Sequence, residues 1–66
     1  LPIYPLPQRE VTTMFIIYAT GINYKREIAR YWNGKKAFDT CRTAGWKWTD
    51  PETGFVYDLA IEDEEE

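Results

Sequence analysis

Residues 11–20 read VTTMFIIYAT, a β-branched and aromatic run with apolar side chains on both alternating faces. A strand with one wet face would alternate; this pattern predicts a strand covered on both sides. Gly21 follows as a breaker. The next segment, NYKREIARYWNGKKAFDTCRTAG over 23–45, carries Ile28, Tyr31 and Trp32 at helical spacing. Asn23 reads as an N-cap and Gly45 as the residue that stops a helix. Continuing one helix through the segment brings Lys35, Asp39 and Arg42 onto the apolar arc and moves Ala37 and Cys41 off it. The apolar face therefore rotates at Asn33-Gly34, and the spacing predicts a kinked helical segment with its break there. Asn-Gly is also the strongest two-residue hairpin signal, so an all-β meander with a second hairpin at Asn33-Gly34 is the alternative. Against that hairpin, neither flanking run alternates cleanly. Against the helix, Lys25 and Arg26 would sit in a first turn that disfavours cations.

Residues 46–61 read WKWTDPETGFVYDLAI. Asp50-Pro51-Glu52-Thr53 fits a type I turn, with Asp at the first position and Pro at the second; Gly54 then returns the chain through a left-handed conformation. Trp46 and Trp48 share one strand face, as do Phe55, Tyr57, Leu59 and Ile61, and these six side chains are the expected main wall of the core. Pairing of 13–20 with 55–61 is expected to be antiparallel, because these are the most apolar strands. The expected fold class is α+β: one strand, the kinked helical segment, then a C-terminal β-hairpin, giving a three-stranded, largely antiparallel sheet with the helix on one face. Residues 1–11 form a proline-rich extended arm, 12–61 the domain, and 62–66 an acidic tail. In the arm, Pro2 and Pro5 have P-x-x-P spacing near Arg9. An arm that packs Leu1, Ile3, Tyr4 and Leu6 on the domain, or one that is disordered, is favoured over an SH3-type ligand.

Composition sharpens this picture. Sixty-six residues bury little surface, and the 17% aromatic content supplies large groups for a small core. Cys41 is the single cysteine, so no internal disulfide forms, which favours a reducing, intracellular compartment. No apolar run approaches the roughly 20 residues of a membrane span. The opening residues lack a signal-peptide pattern, and no membrane partner is expected. The sequence has neither His nor Ser. Ser-His-Asp and Cys-His catalysis are excluded, as is an ordinary zinc site. Cys41 in an apolar pattern reads as a core residue. EDEEE at 62–66 lacks the turn that fixes ligands around Mg²⁺ or Ca²⁺. No catalytic residue, cofactor or metal site is expected, and the chain does not read as an enzyme.

Charge is distributed unevenly. Residues 25–47 hold seven bases against two acids; residues 48–66 hold eight acids and no base. Two surfaces follow. The acids Asp58, Glu62, Asp63, Glu64, Glu65 and Glu66 would suit a protein partner with a basic surface. The bases Lys25, Arg26, Arg30, Lys35, Lys36, Arg42 and Lys47, interleaved with Tyr24, Tyr31 and Trp32, would suit single-stranded nucleic acid. The need for Tyr31 and Trp32 in the core and the acidic balance, with a pI of about 4.8, weigh against the second. The favoured expectation is a small non-enzymatic regulator or inhibitor that occupies a partner's surface. A nucleic-acid-binding module is the alternative, and an accessory subunit of a larger assembly a third. In size, acidity and lack of catalytic groups the chain resembles, in general character, the host-takeover proteins of bacteriophages. That would place it in an infected host cell; no motif marks it as a member of any family.

Overall fold

The computed structural model describes residues 13–65. The arm at 1–11, Thr12 and Glu66 lie outside them, and with them the readings made for the P-x-x-P segment. Within the described residues the chain is α+β, with a four-stranded antiparallel sheet and one helix. The elements are β1 (Thr13–Gly21), β2 (Tyr24–Tyr31), α1 (Gly34–Thr43), β3 (Lys47–Thr49) and β4 (Val56–Glu65). The sheet order is β2-β1-β4-β3. Two hairpins, β1–β2 and β3–β4, are thus joined through their inner strands, and α1 carries the chain from one edge strand to the other.

The largest correction concerns residues 24–31. They form β2 and not the first half of a kinked helix. Asn23 is no N-cap: it sits at φ 56° in the two-residue connection between β1 and β2, a conformation asparagine tolerates better than most residues. A register shift opposite Ile17 and Tyr18 hides the strand in the sequence. Ile17 pairs with Ala29 and Tyr18 with Glu27, leaving Ile28 as the extra residue of a β-bulge. Ile28 and Ala29 consequently both pack against the core. On the other face, the bulge lets Glu27 and Arg30 meet although they are three residues apart, and their side chains pair at 2.8 Å.

The break at Asn33-Gly34 does exist, but it separates a strand from a helix. Asn33 caps α1, its Oδ1 accepting the Lys35 N–H at 2.9 Å. The meander alternative fails for the same reason, since Gly34–Thr43 is helical. Ala37 and Cys41, one turn apart, are the buried stripe of this short helix. Gly45 follows the C-cap Ala44, in the role the sequence suggested.

The β3–β4 hairpin has the turn chemistry expected of it. The Gly54 N–H donates to the Asp50 carbonyl at 2.7 Å, and the Asp50 N–H donates to the Phe55 carbonyl at 2.8 Å. Asp50 is buried and its Oδ1 accepts the Glu52 N–H at 2.8 Å, an internal turn bond that explains a buried acid in a tight loop. Gly54 has φ 76°. β3 is only three residues long, however, and Trp46 precedes it at φ 59°.

β1 and β4 pair from Thr13–Glu65 to Thr20–Asp58. The expected partners were right, but β4 extends four residues past Ile61, so Glu62, Asp63, Glu64 and Glu65 lie in the sheet beside β1. The centre of the core also differs from expectation. Ile17, Ala37 and Cys41 are fully buried together; Phe15, Ile28, Tyr31, Trp46, Leu59 and Ile61 pack around them. Trp48 and Tyr57 are half-buried beside this cluster and Phe55 is 63% exposed, so the six-residue wall is half wall and half rim. Small side chains sit in the middle because a ten-residue helix must come close to the sheet, and the large rings fill the margins.

Candidate interaction surface

The sheet has two unlike faces. On the helix side, β1 presents Phe15, Ile17 and Ala19, and β4 presents Tyr57, Leu59 and Ile61. Beyond the helix, Tyr24 and Tyr57 stack with centroids 3.9 Å apart and planes within 6°, and the Arg26 guanidinium lies 5.4 Å from the Trp48 ring centroid. Burial raises the Tyr57 pKa, with Tyr24 and Asp50 adding to the effect. No described helix covers the opposite face, which carries most of the paired charges.

That open face brings the two rival surfaces of the sequence together. Lys25 on β2 reaches Glu62 on β4 at 2.7 Å. Arg30 on β2 reaches Glu64 on β4 at 3.8 Å as well as its own neighbour Glu27. Both cross-sheet pairs arch over β1, and the Lys25 ammonium also lies 4.4 Å from the Tyr18 ring centroid. Ile16, in register between Arg30 and Glu62, is 1% exposed on this helix-free face. Lys47 pairs with Asp58 at the far edge. The hydrogen bond to Glu62 raises the Lys25 pKa, and the hydrogen bond from Arg30 lowers that of Glu27. Both members of the Glu27–Arg30 pair are charged at neutral pH. The lowered carboxylate pKa means that the pair's contribution is present above the ordinary glutamate pKa and is lost as pH falls through the folded value.

The bases therefore do not form one surface. Lys25, Arg30 and Lys47 are on the open face and are paired; Arg26 is on the helix side over Trp48; Arg42 is paired with Asp39 at 3.1 Å on the helix. Lys35 and Lys36 stand in the first turn of α1, the Lys36 ammonium 5.5 Å from the Tyr31 ring centroid. Of the acids, Asp58, Glu62 and Glu64 are tied to bases. Asp63 and Glu65, at alternate β4 positions directed to the helix side, have no cation within 4 Å among the described residues. Cys41 is fully buried, and desolvation raises its thiol pKa. No group of three His, Cys, Asp or Glu side chains that could hold a metal ion occurs among the described residues. No described helix is long and apolar enough to cross a membrane.

The feature that sequence reasoning missed is apolar. Ile22, at the β1–β2 connection, is 96% exposed; Phe55 and Val56, where the β3–β4 loop enters β4, are 63% and 60% exposed. All three line one open cleft of about 460 Å³ at the same end of the sheet, together with Thr20, Gly21, Lys47, Tyr57 and Asp58. The sequence signal was there: Ile22 sits between Gly21 and Asn23, a turn position where a β-branched residue has no core to enter. Trp32, expected in the core, is 73% exposed between β2 and α1 instead, while Tyr31 packs against the core. No protein-family model matches the chain, no curated protein is significantly similar to it in sequence, and no solved structure is significantly similar to it in fold.

Proposed function

We propose that the chain is a small non-enzymatic protein-binding domain that acts by occupying a partner's surface, and that it docks through the end of the sheet carrying Ile22, Phe55 and Val56. One observation supports this above the rest. A domain this small needs its large apolar groups inside, yet three of them stand exposed around one cleft. Their position costs solubility and contributes no core, which is the usual mark of an interface centre. The Lys47–Asp58 pair at the cleft's border supplies a polar rim. A nucleic-acid role draws less support. Four of the seven bases named for it are engaged by acids of the same chain; of the other three, Lys35 and Lys36 share the first turn of α1 while Arg26 lies apart over Trp48.

The test is affinity capture from source cells, with and without nuclease, using the full chain and an Ile22→Ser/Phe55→Ser variant. A protein captured by the parent despite nuclease, and lost from a variant with an unchanged melting temperature, supports the reading. Capture that disappears with nuclease, or that survives in the variant, refutes it.

A further inference from the structure

β4 is paired over most of its length on the β1 side and only at its start on the β3 side. Toward β1 its partners run from Asp58 to Glu65. Toward β3 they run from Val56 to Asp58, with one more bond from the Leu59 N–H to the Trp46 carbonyl at 2.9 Å. In an antiparallel ladder, alternate residues direct both backbone groups to the same side. Leu59 donates toward β3, so Ile61, Asp63 and Glu65 direct their N–H and C=O groups the same way, past the point where β3 has ended. Among the described residues no strand meets them. This is half of a sheet edge, six residues long from Ala60 to Glu65 and paired with β1 without a register shift. Edges of this kind are templates for an added strand.

Charge selects the strand. Asp63 and Glu65 flank the edge on the helix side without a cation within 4 Å among the described residues, and Glu62 and Glu64 flank it on the open face. A second copy of the chain joining through the same edge would set acids against acids, and like charges directly opposite are destabilising. We infer that the edge of β4 from Ala60 to Glu65, which no described strand pairs, accepts an extended basic segment of a partner protein as a fifth strand, with Lys or Arg at alternate positions beside Asp63 and Glu65. This surface is at the other end of β4 from the apolar cleft, so one partner could engage both or two partners one each. The bases already on the open face leave the two helix-side acids as the specificity determinants, and backbone pairing supplies the rest of the affinity.

The test uses the full chain, labelled with ¹⁵N, and three synthetic hexapeptides. One alternates Lys and Val; the second is identical but N-methylated on the backbone groups that would face β4; the third alternates Glu and Val. The Lys-Val peptide should slow amide exchange at Ile61, Asp63 and Glu65 by roughly tenfold or more at saturation, with little effect on amides already in ladders. The N-methylated peptide should not bind. An Asp63→Lys/Glu65→Lys variant, altered only at exposed positions, should lose the Lys-Val peptide and accept the Glu-Val one. Equal binding of the methylated and unmethylated Lys-Val peptides would overturn strand addition. Absence of protection at the three amides would do the same, and would leave the acids as guards against edge-to-edge aggregation. Neither result touches the apolar cleft, so this inference and the proposed function stand or fall separately.

Discussion

Gly21→Ala places one methyl group where the sheet has no room for it. Gly21 ends β1, and a Cβ there would lie 2.8 Å from Cδ1 and 3.2 Å from Cε1 of Tyr57. These ring atoms are close to the side chain's root and cannot swing clear as a chain end could. The ring is also held by its stack on Tyr24 at 3.9 Å. Overpacking of this kind costs about 1–3 kcal/mol, and opening the stack would forfeit about 0.5–1.5 kcal/mol. Alanine offsets part of this, since glycine inside a strand is worse than alanine by about 0.5–1 kcal/mol. The net expectation is a loss of about 1–3 kcal/mol. For a small domain each kcal/mol shifts the melting temperature by about 4–8 °C, so a drop of roughly 4–24 °C is expected in thermal unfolding followed by circular dichroism, with a matching loss in urea titration. The Tyr57 ring also sets a second, sharper test. In a Tyr57→Ala background the obstacle is gone, and Gly21→Ala should then be neutral or stabilising. A Gly21→Ala chain that melts at the parental temperature, or that loses as much stability without the ring as with it, would refute the steric argument.

Gly54→Ala should cost about 1 kcal/mol by urea titration, from backbone strain at φ 76° and not from crowding, since nothing lies within 4 Å of its would-be Cβ; Gly54→Asn should recover part of that loss. Cys41 should react with a thiol reagent only as fast as the chain opens, and rapid labelling of the folded chain would contradict its burial; Cys41→Ser, which buries a hydroxyl among apolar groups, should cost about 1–3 kcal/mol in the same titration. Lys36→Glu should stabilise α1 by about 0.5 kcal/mol, because a carboxylate three residues after the cap Asn33 faces the positive helix end and can return a bond to the cap; a lower melting temperature would show that the Lys36–Tyr31 contact outweighs it.

Where turn chemistry is local, the sequence was readable. Asp50, Pro51 and Gly54 each carry a conformational preference that needs no tertiary partner, and the β3–β4 hairpin follows from them. β2 was not readable, for a reason visible at Ile28. The bulge inserts one residue into the period of two, so YKREIARY places Ile28 and Ala29 on one face and Glu27 with Arg30 on the other. A strand with one extra residue imitates the spacing of a helix. Its absence of clean alternation counted against a strand when it marked an irregular one. The ion pairs between β2 and β4 were equally out of reach, because they depend on sheet order: the two charge blocks read as rival surfaces until β1 is seen to lie between them. Ile22, Phe55 and Val56 are ordinary apolar letters in sequence, and only the position of the turns exposes them.

The sheet order has a consequence for how the chain reaches its native state. The two central strands are the first and the last described elements, and Thr13 finds its partner in Glu65. Each hairpin can close locally and quickly, but neither has a core alone. The pairing that unites them joins the first and last described elements, some fifty residues apart at Thr13 and Glu65, and long-range closure of that kind slows folding. During synthesis, β4 is the last of these elements to be made. Until it is released, β1 has one bare edge, and its apolar face has α1 across it but lacks the flanking Leu59 and Ile61 of β4, a state prone to wrong pairing. Folding is therefore set to wait for completion of β4, and truncation before Val56 should leave a chain that can form the first hairpin and still not fold.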